Sequence, residues 1–226
     1  MEIGTDFLDD FSSPKTICKG NILNMNGEYV PYFIELGLSK SSILECNMWR
    51  DFIKEVIFEF LNKNIDINKY KKILQKDIML EDFHWNWSKK ALFYCSPGYD
   101  WFFLRTSDGI QSVCLTFHPK ESIFQKVSIF YIQYLSSAPW NRISSLHERK
   151  YKGVGKEIIR QVQIYFIRKY HYSYGFNLHS LPQAKYFYEK IGMTNFPEFN
   201  DENGLSFYEI DKENTMLFLE GNNAGN

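Results

Sequence analysis

The run Lys150-Tyr151-Lys152-Gly153-Val154-Gly155-Lys156 sets two glycines and three lysines directly before an apolar-periodic segment. Glycines at 153 and 155 let the backbone turn its N–H groups toward one point. At a helix N-terminus those amides lack intrahelical acceptors, and the helix dipole favours an anion. The geometry suits phosphate. Arg142, Arg149, Lys150, Lys152 and Lys156 add mobile positive charge, enough for a diphosphate. The alternative is a solvated basic face that holds nothing. A Walker A loop is excluded, because Lys150 stands where its first glycine belongs and Glu157 replaces the hydroxyl residue that reaches magnesium. A dinucleotide G-x-G-x-x-G would need glycine where Ile158 stands.

These residues need a strand before them and a helix after them. Apolar residues at 154, 158, 159, 162, 165 and 166 mark one face of a helix that packs on a sheet. Before the loop, VSIFYIQYLSS reads as a strand that stops at Ala138-Pro139. Further upstream, DWFFLRT and IQSVCLTF flank Ser107-Asp108-Gly109 as a hairpin. Downstream, GFNLHS is a strand, and Ser180-Leu181-Pro182-Gln183 combines a capping box with proline in the first turn of a helix carrying Ala184, Phe187, Tyr188 and Ile191. LSFYEI is the last strand, and Asp211 caps a terminal helix with Met216, Leu217 and Leu219.

The N-terminal part carries less signal. YVPYFIEL reads as a strand, and Ser42 with Glu45 reads as a capping box opening a helix with Met48, Phe52, Val56 and Phe60 on its apolar face. Asp66 caps a shorter helix carrying Tyr70, Ile73 and Leu74, and HWNWSKKALFYC is ambiguous between helix and loop. Residues 1–99 are therefore expected to be mainly helical, and 100–220 to hold the sheet and the cofactor-binding core.

With 226 residues, 44% hydrophobic and 23% charged, the chain is expected to form one globular α/β domain over 1–226. A net charge of -1 supplies no global field toward nucleic acid or an anionic membrane. Cys18, Cys46, Cys95 and Cys114 form no C-x-x-C pair, so neither a metal site nor a disulfide framework is expected. No signal peptide and no membrane-length apolar run are legible, so a cytoplasmic location is expected.

Two stretches together resemble one family. Lys150 to Gly155 reads K-x-x-G-x-G, similar to the [QR]-x-x-G-x-[GA] pyrophosphate loop of the GNAT superfamily of acyl-CoA-dependent N-acetyltransferases, and Ala184 to Met193 contains that family's Phe-Tyr-x-x-x-Gly signature. The resemblance runs from about Phe124 to Leu219 and is similar to a bacterial branch of unassigned substrate. It implies a mixed, mostly antiparallel central sheet with helices on both faces. The fourth and fifth strands of that sheet, Val127–Ser137 and Gly175–Ser180 here, splay around the pantetheine arm. Two departures stand out. Lys150 replaces Gln or Arg, and Leu181 stands where many members carry an asparagine that contacts the pantetheine.

What the resemblance implies for function is transfer of an acetyl group from acetyl-CoA to a primary amine, a small molecule or a protein lysine or N-terminus. The transfer is direct, without metal or covalent enzyme intermediate. The cosubstrate would lie against Leu135, Ser136, Ser137, Lys150, Lys152, Gly153, Val154, Gly155 and Lys156, with the backbone N–H groups of 135–137 meeting the oxyanion. Tyr188 would protonate the leaving thiolate. His179, at a strand terminus facing the splay, is the candidate general base, with His118 or Glu121 as alternative anchors for a water chain. Asn141 and Arg142 are candidates to contact cofactor or acceptor, Trp140 a core plug, and His84, Trp85 and Trp87 candidate acceptor walls. The amine itself is undetermined, and a homodimer is left open. The rival readings are a degenerate fold that binds acyl-CoA or a protein partner without turnover, and a nucleic-acid module. The last lacks interleaved stacking aromatics on a broad basic face.

Overall fold

The computed structural model describes residues 13–62, 82, 84–144 and 146–221, so the helix expected from Asp66 lies outside the described residues. Strands β1 (Lys15–Leu23) and β2 (Tyr29–Leu36) precede helices α1 (Lys40–Asn62) and α2 (Trp87–Phe93). Next come β3 (Tyr99–Thr106), β4 (Gly109–Glu121), β5 (Ser128–Ser137), α3 (Val154–Tyr170), β6 (Phe176–Ser180) and α4 (Lys185–Lys190). β7 (Thr194–Asn195), β8 (Ser206–Ile210) and α5 (Lys212–Glu220) complete the order. The strands make one eight-stranded sheet in the order β1-β2-β3-β4-β5-β6-β8-β7. β5 and β6 run parallel, while β1–β2, β2–β3, β6–β8 and β7–β8 are antiparallel. By compactness the chain divides into one unit of Met1–Ser96, Trp101–Val113 and Ser136–Lys156 and another of Pro97–Asp100, Cys114–Leu135 and Glu157–Asn226.

In the first unit the β3–β4 hairpin turns at Gly109, whose φ of 96° is open to glycine, and a Cβ there would meet Glu45 Oε2 at 3.0 Å. Glu45 accepts from the Ile110 N–H at 2.8 Å and from Arg105 Nη1 at 2.7 Å, and Arg105 also donates to Glu35 at 3.2 Å. Helix α1 is thereby tied to the turn. The expected Ser42–Glu45 capping box is not formed, because Glu45 is engaged there. Ser39 opens the helix instead, its Oγ accepting from the Ser42 N–H at 3.1 Å. The apolar face is also rotated from the expected one. Ile43, Cys46, Trp49, Ile53 and Phe60 are buried, whereas Met48 is 65% exposed. The aromatic cluster selects this face: Trp49 packs edge-on to Trp87 at 6.1 Å and to Trp140 at 6.4 Å. Strand β1 was not legible because only Ile22 along it is buried, so it carries no alternation. The ambiguous segment resolves as helix α2, with Asn86 Oδ1 accepting from the Lys89 N–H at 2.9 Å as its N-cap.

In the second unit Phe130 stacks on Phe166 at 4.5 Å and on Phe176 at 5.5 Å, joining β5, α3 and β6. Every residue of β8 is buried. Among them, the Glu209 carboxylate accepts from Ser122 Oγ at 2.6 Å, the Ile123 N–H at 3.0 Å, the Phe124 N–H at 3.3 Å and Asn177 Nδ2 at 3.0 Å. Those donors make its burial tolerable and hold the turn after β4. We predict that Glu209→Gln, which turns an amide N–H₂ toward these donors, costs about 3 kcal/mol. Urea unfolding checks this, and an unchanged midpoint would mean the carboxylate contributes nothing.

Asp211 caps α5 as expected, accepting from the Asn214 N–H at 2.7 Å, but the buried face is Thr215 and Phe218 rather than Met216 and Leu217. The capping box expected at Ser180 is absent. Ser180 Oγ donates to the Leu181 carbonyl at 2.8 Å, and a 3-10 turn at Pro182–Ala184 leads into α4. Proline does sit in the first turn, as its fixed φ favours. β5 and β6 pair over Phe130–Phe176, Tyr131–Asn177 and Ile132–Leu178, and that register ends there while both strands run on. The two strands therefore diverge from Gln133 and His179 onward.

Candidate functional site

Strand β5 ends in a buttress built by side chains. Arg142 Nη1 and Nη2 donate to the two Asp82 oxygens at 2.7 and 2.6 Å, Nη2 donates to Ser136 Oγ at 3.0 Å, and both Nε and Nη2 donate to the Ser137 carbonyl at 3.2 and 3.0 Å. Ser136 Oγ donates in turn to Asp82 at 2.8 Å. The Arg142 and Asp82 side chains are only 12% and 9% exposed, so Arg142 is not the mobile phosphate ligand its position suggested. It is a bidentate, desolvated clamp. Asn141 is likewise structural: its Nδ2 donates to Gln111 at 2.9 Å and its Oδ1 accepts from the Tyr151 N–H at 3.1 Å. Trp140 is half-buried and donates through Nε1 to Gln111 at 2.7 Å.

The glycine loop is strapped to this scaffold by its first three amides. The N–H groups of Lys150, Tyr151 and Lys152 donate to the Trp140 carbonyl at 3.0 Å, Asn141 Oδ1 at 3.1 Å and the Leu23 carbonyl at 3.1 Å. Lys150 and Lys152 can therefore offer a ligand only their side chains. Lys150 Nζ lies 3.7 Å from Asp108, on the surface. The chain then turns at Gly153, with φ 73°, into α3 from Val154. The amides of Val154 and Gly155 thus fall in the first turn, where no carbonyl lies four residues back within the helix. Gly155 has a different reason to be glycine: a Cβ would stand 3.2 Å from Ser137 Oγ. The backbone approaches the strand end closely there. Arg149 and Lys156 are half-buried.

In the other unit, α4 brings Tyr188 into a buried position, with its phenol pushed well up by burial and then by Cys114 and Tyr131 nearby. It remains a protonated donor across the neutral range. His179 on β6 is engaged at both ring nitrogens, Nδ1 with Tyr131 Oη at 2.9 Å and Nε2 with the Phe199 carbonyl at 2.8 Å. Tyr131 was missed in the sequence. Only the parallel register, which sets Tyr131 opposite Asn177, reveals that it shares a face with His179. Leu135 is half-buried beyond the last β5–β6 pair. The two alternative water anchors are occupied otherwise. His118 is bound to Asp100 at 3.2 Å and Tyr172 at 3.2 Å, and Glu121 is a surface partner of Lys126 at 3.3 Å.

A cavity of about 20 Å³ lies in the first unit, lined by Trp49, Trp85, Trp87, Asp82, Ser136 and Pro139 among others. Two of the three residues singled out as acceptor walls, Trp85 and Trp87, thus line one cavity with the strand-end buttress. Lys90 on α2 places Nζ 4.5 Å from the Trp85 ring centroid. Burial pushes its ammonium down from 10.5 to about 7, against the opposing pull of Asp82. Its folded state binds protons less well than its unfolded state, so the penalty is complete below about pH 7 and is relieved as pH climbs toward 10.5. Lys90→Met is expected to raise Tm below about pH 7 and to lose that gain toward pH 10.5. Thermal melts across that range check it; a pH-independent gain would show that packing, not ionisation, is responsible.

No family model matches the chain. Nor does any curated protein. Among solved structures, an uncharacterized protein from Bacillus halodurans matches over 92% of this chain and 100% of its own, at 10% identity and a TM-score of 0.52. The GNAT domain of S. lividans PAT matches over 85% and 96%, at 8% identity and 0.48, and the Campylobacter jejuni N-acetyltransferase PseH over 79% and 98%, at 12% and 0.43. At such identities the likeness is one of fold. Among the described residues, an eight-stranded, mostly antiparallel sheet with one diverging parallel pair and five helices make this a GNAT-like fold. Among the described residues no helix is long and apolar enough to cross a membrane.

Proposed function

We propose that the chain is an N-acetyltransferase that moves an acetyl group from acetyl-CoA to a primary amine by direct transfer, working as one catalytic domain in the cytoplasm. The observation that carries this reading is the glycine loop: a positive-φ Gly153 opening α3, and Gly155 pressed against Ser137. That arrangement fits a pyrophosphate, which needs close backbone approach and helix-start N–H donors. Gly153, Val154, Gly155 and Lys156 hold the diphosphate, with the Lys150 and Lys152 side chains adding charge. The strand end Leu135–Ser137 supplies backbone N–H to the acyl oxygen, and Tyr188 returns a proton to the leaving sulfur.

A second reading, a fold that binds acyl-CoA without turnover, is favoured by the engagement of both His179 nitrogens, which leaves that imidazole no open lone pair. Calorimetric titration with acetyl-CoA and CoA at two salt concentrations tests the shared part. Saturable one-to-one binding is expected, and a folded sample that binds neither would refute both readings. Release of free thiol on adding an amine separates them.

A further inference from the structure

We propose that Tyr131 is the proton acceptor for the amine and that His179 is the positioning residue that receives the proton Tyr131 gives up; this rests on the acetyltransferase reading above. A carbonyl oxygen only accepts, so the 2.8 Å contact with Phe199 requires His179 Nε2 to carry hydrogen. In the neutral ring the remaining lone pair, on Nδ1, then accepts the Tyr131 hydroxyl at 2.9 Å. A base role for His179 must therefore run through Tyr131.

Strand register places this pair side by side. Tyr131 and His179 project from the parallel pair β5–β6, where Tyr131 lies opposite Asn177 and His179 follows two residues on. Phe207, opposite His179 on β8, packs its ring edge-on at 5.1 Å. Tyr131 and His179 are both half-buried, and Tyr188, whose phenol feels Tyr131, is buried. Two phenols are thus neighbours, one backed by an imidazole and one kept protonated by burial.

The balance closes without a further reagent. As the amine nitrogen forms its bond to the acyl carbon, its proton passes to Tyr131 Oη and the Tyr131 proton passes to His179 Nδ1. The imidazolium that results keeps its Nε2 hydrogen on the Phe199 carbonyl. The carbon–sulfur electron pair leaves with sulfur, which takes the proton of Tyr188. Return of one proton from His179 to solvent and of one from solvent to Tyr188 restores the start.

The test compares wild type with Tyr131→Phe, which keeps the ring and removes only the relay oxygen, using ethylamine and a lysine-containing peptide as probe acceptors. Nitrogen-15 spectra of the wild type are expected to show His179 protonated at Nε2, with Nδ1 moving toward a free lone pair in the variant. Turnover is expected to fall about 100-fold with the KM for amine nearly unchanged. Acetyl-CoA affinity, read by calorimetry, stays at the wild-type value. A variant with wild-type kcat, a wild-type His179 protonated at Nδ1 alone, or a wild type that releases no CoA with either amine would each overturn the relay. If acetyl-CoA still binds in those cases, the cofactor reading survives the relay's failure; loss of binding in the wild type sinks the cofactor reading itself.

Discussion

Gly155→Asp is expected to lose at least about a hundredfold in CoA affinity while the protein still folds. Two effects add. A carboxylate would stand in the first turn of α3, where the helix start otherwise favours an anion, and like charges in contact cost several kcal/mol. The added Cβ would also meet Ser137 Oγ at 3.2 Å, so that side chain would have to shift by a few tenths of an ångström. Gly155→Ala separates these terms. It introduces the same contact without charge, and because Ser137 Oγ is a terminal side-chain atom that can turn away, the loss should be much smaller. Circular dichroism confirms folding, and calorimetry reads affinity. Full CoA affinity in a folded Gly155→Asp would remove the loop from the binding site.

Tyr188→Phe is expected to lower turnover by about 10²–10⁴-fold, with CoA affinity close to wild type. The phenol is buried, and its neighbours Cys114 and Tyr131 add to the cost of ionising it, so it stays protonated until charge develops on the sulfur and is then available to donate. Loss of a donor needed only as charge develops on sulfur lowers kcat rather than binding. The ring remains to pack against Phe187, at 5.2 Å, and Tyr208, at 6.2 Å, so the variant should fold. A wild-type rate would leave Tyr188 as packing alone.

The two substitutions probe residues that were legible in the sequence for different reasons. Gly153 stands out because a positive φ favours glycine, and Gly155 because a glycine there lets the backbone approach Ser137 closely. Tyr188 was legible only through resemblance, since one tyrosine among 15 carries no local signal. Arg142 was misread for a physical reason: its partner Asp82 lies 60 residues away, and nothing in a run of basic residues distinguishes a buried clamp from a mobile ligand. Glu45 was misread in the same way, as a cap rather than a partner of Arg105 and the Ile110 amide.

By itself the amino-acid sequence determined what depends on neighbours along the chain: the Gly109 hairpin, the helix from Val154, the Asp211 cap, and the strand–loop–helix order around the glycines. Backbone conformation and amphipathic period are set within a few residues, so they can be read there. Only the tertiary structure decided which face α1 buries, that Arg142 is locked by Asp82, where β5 and β6 part, after Ile132 and Leu178, and that Tyr131 meets His179. Those outcomes follow from strand register and from burial of charges against distant partners, and a hydrogen bond or ion pair across the fold leaves no periodicity in the chain that makes it.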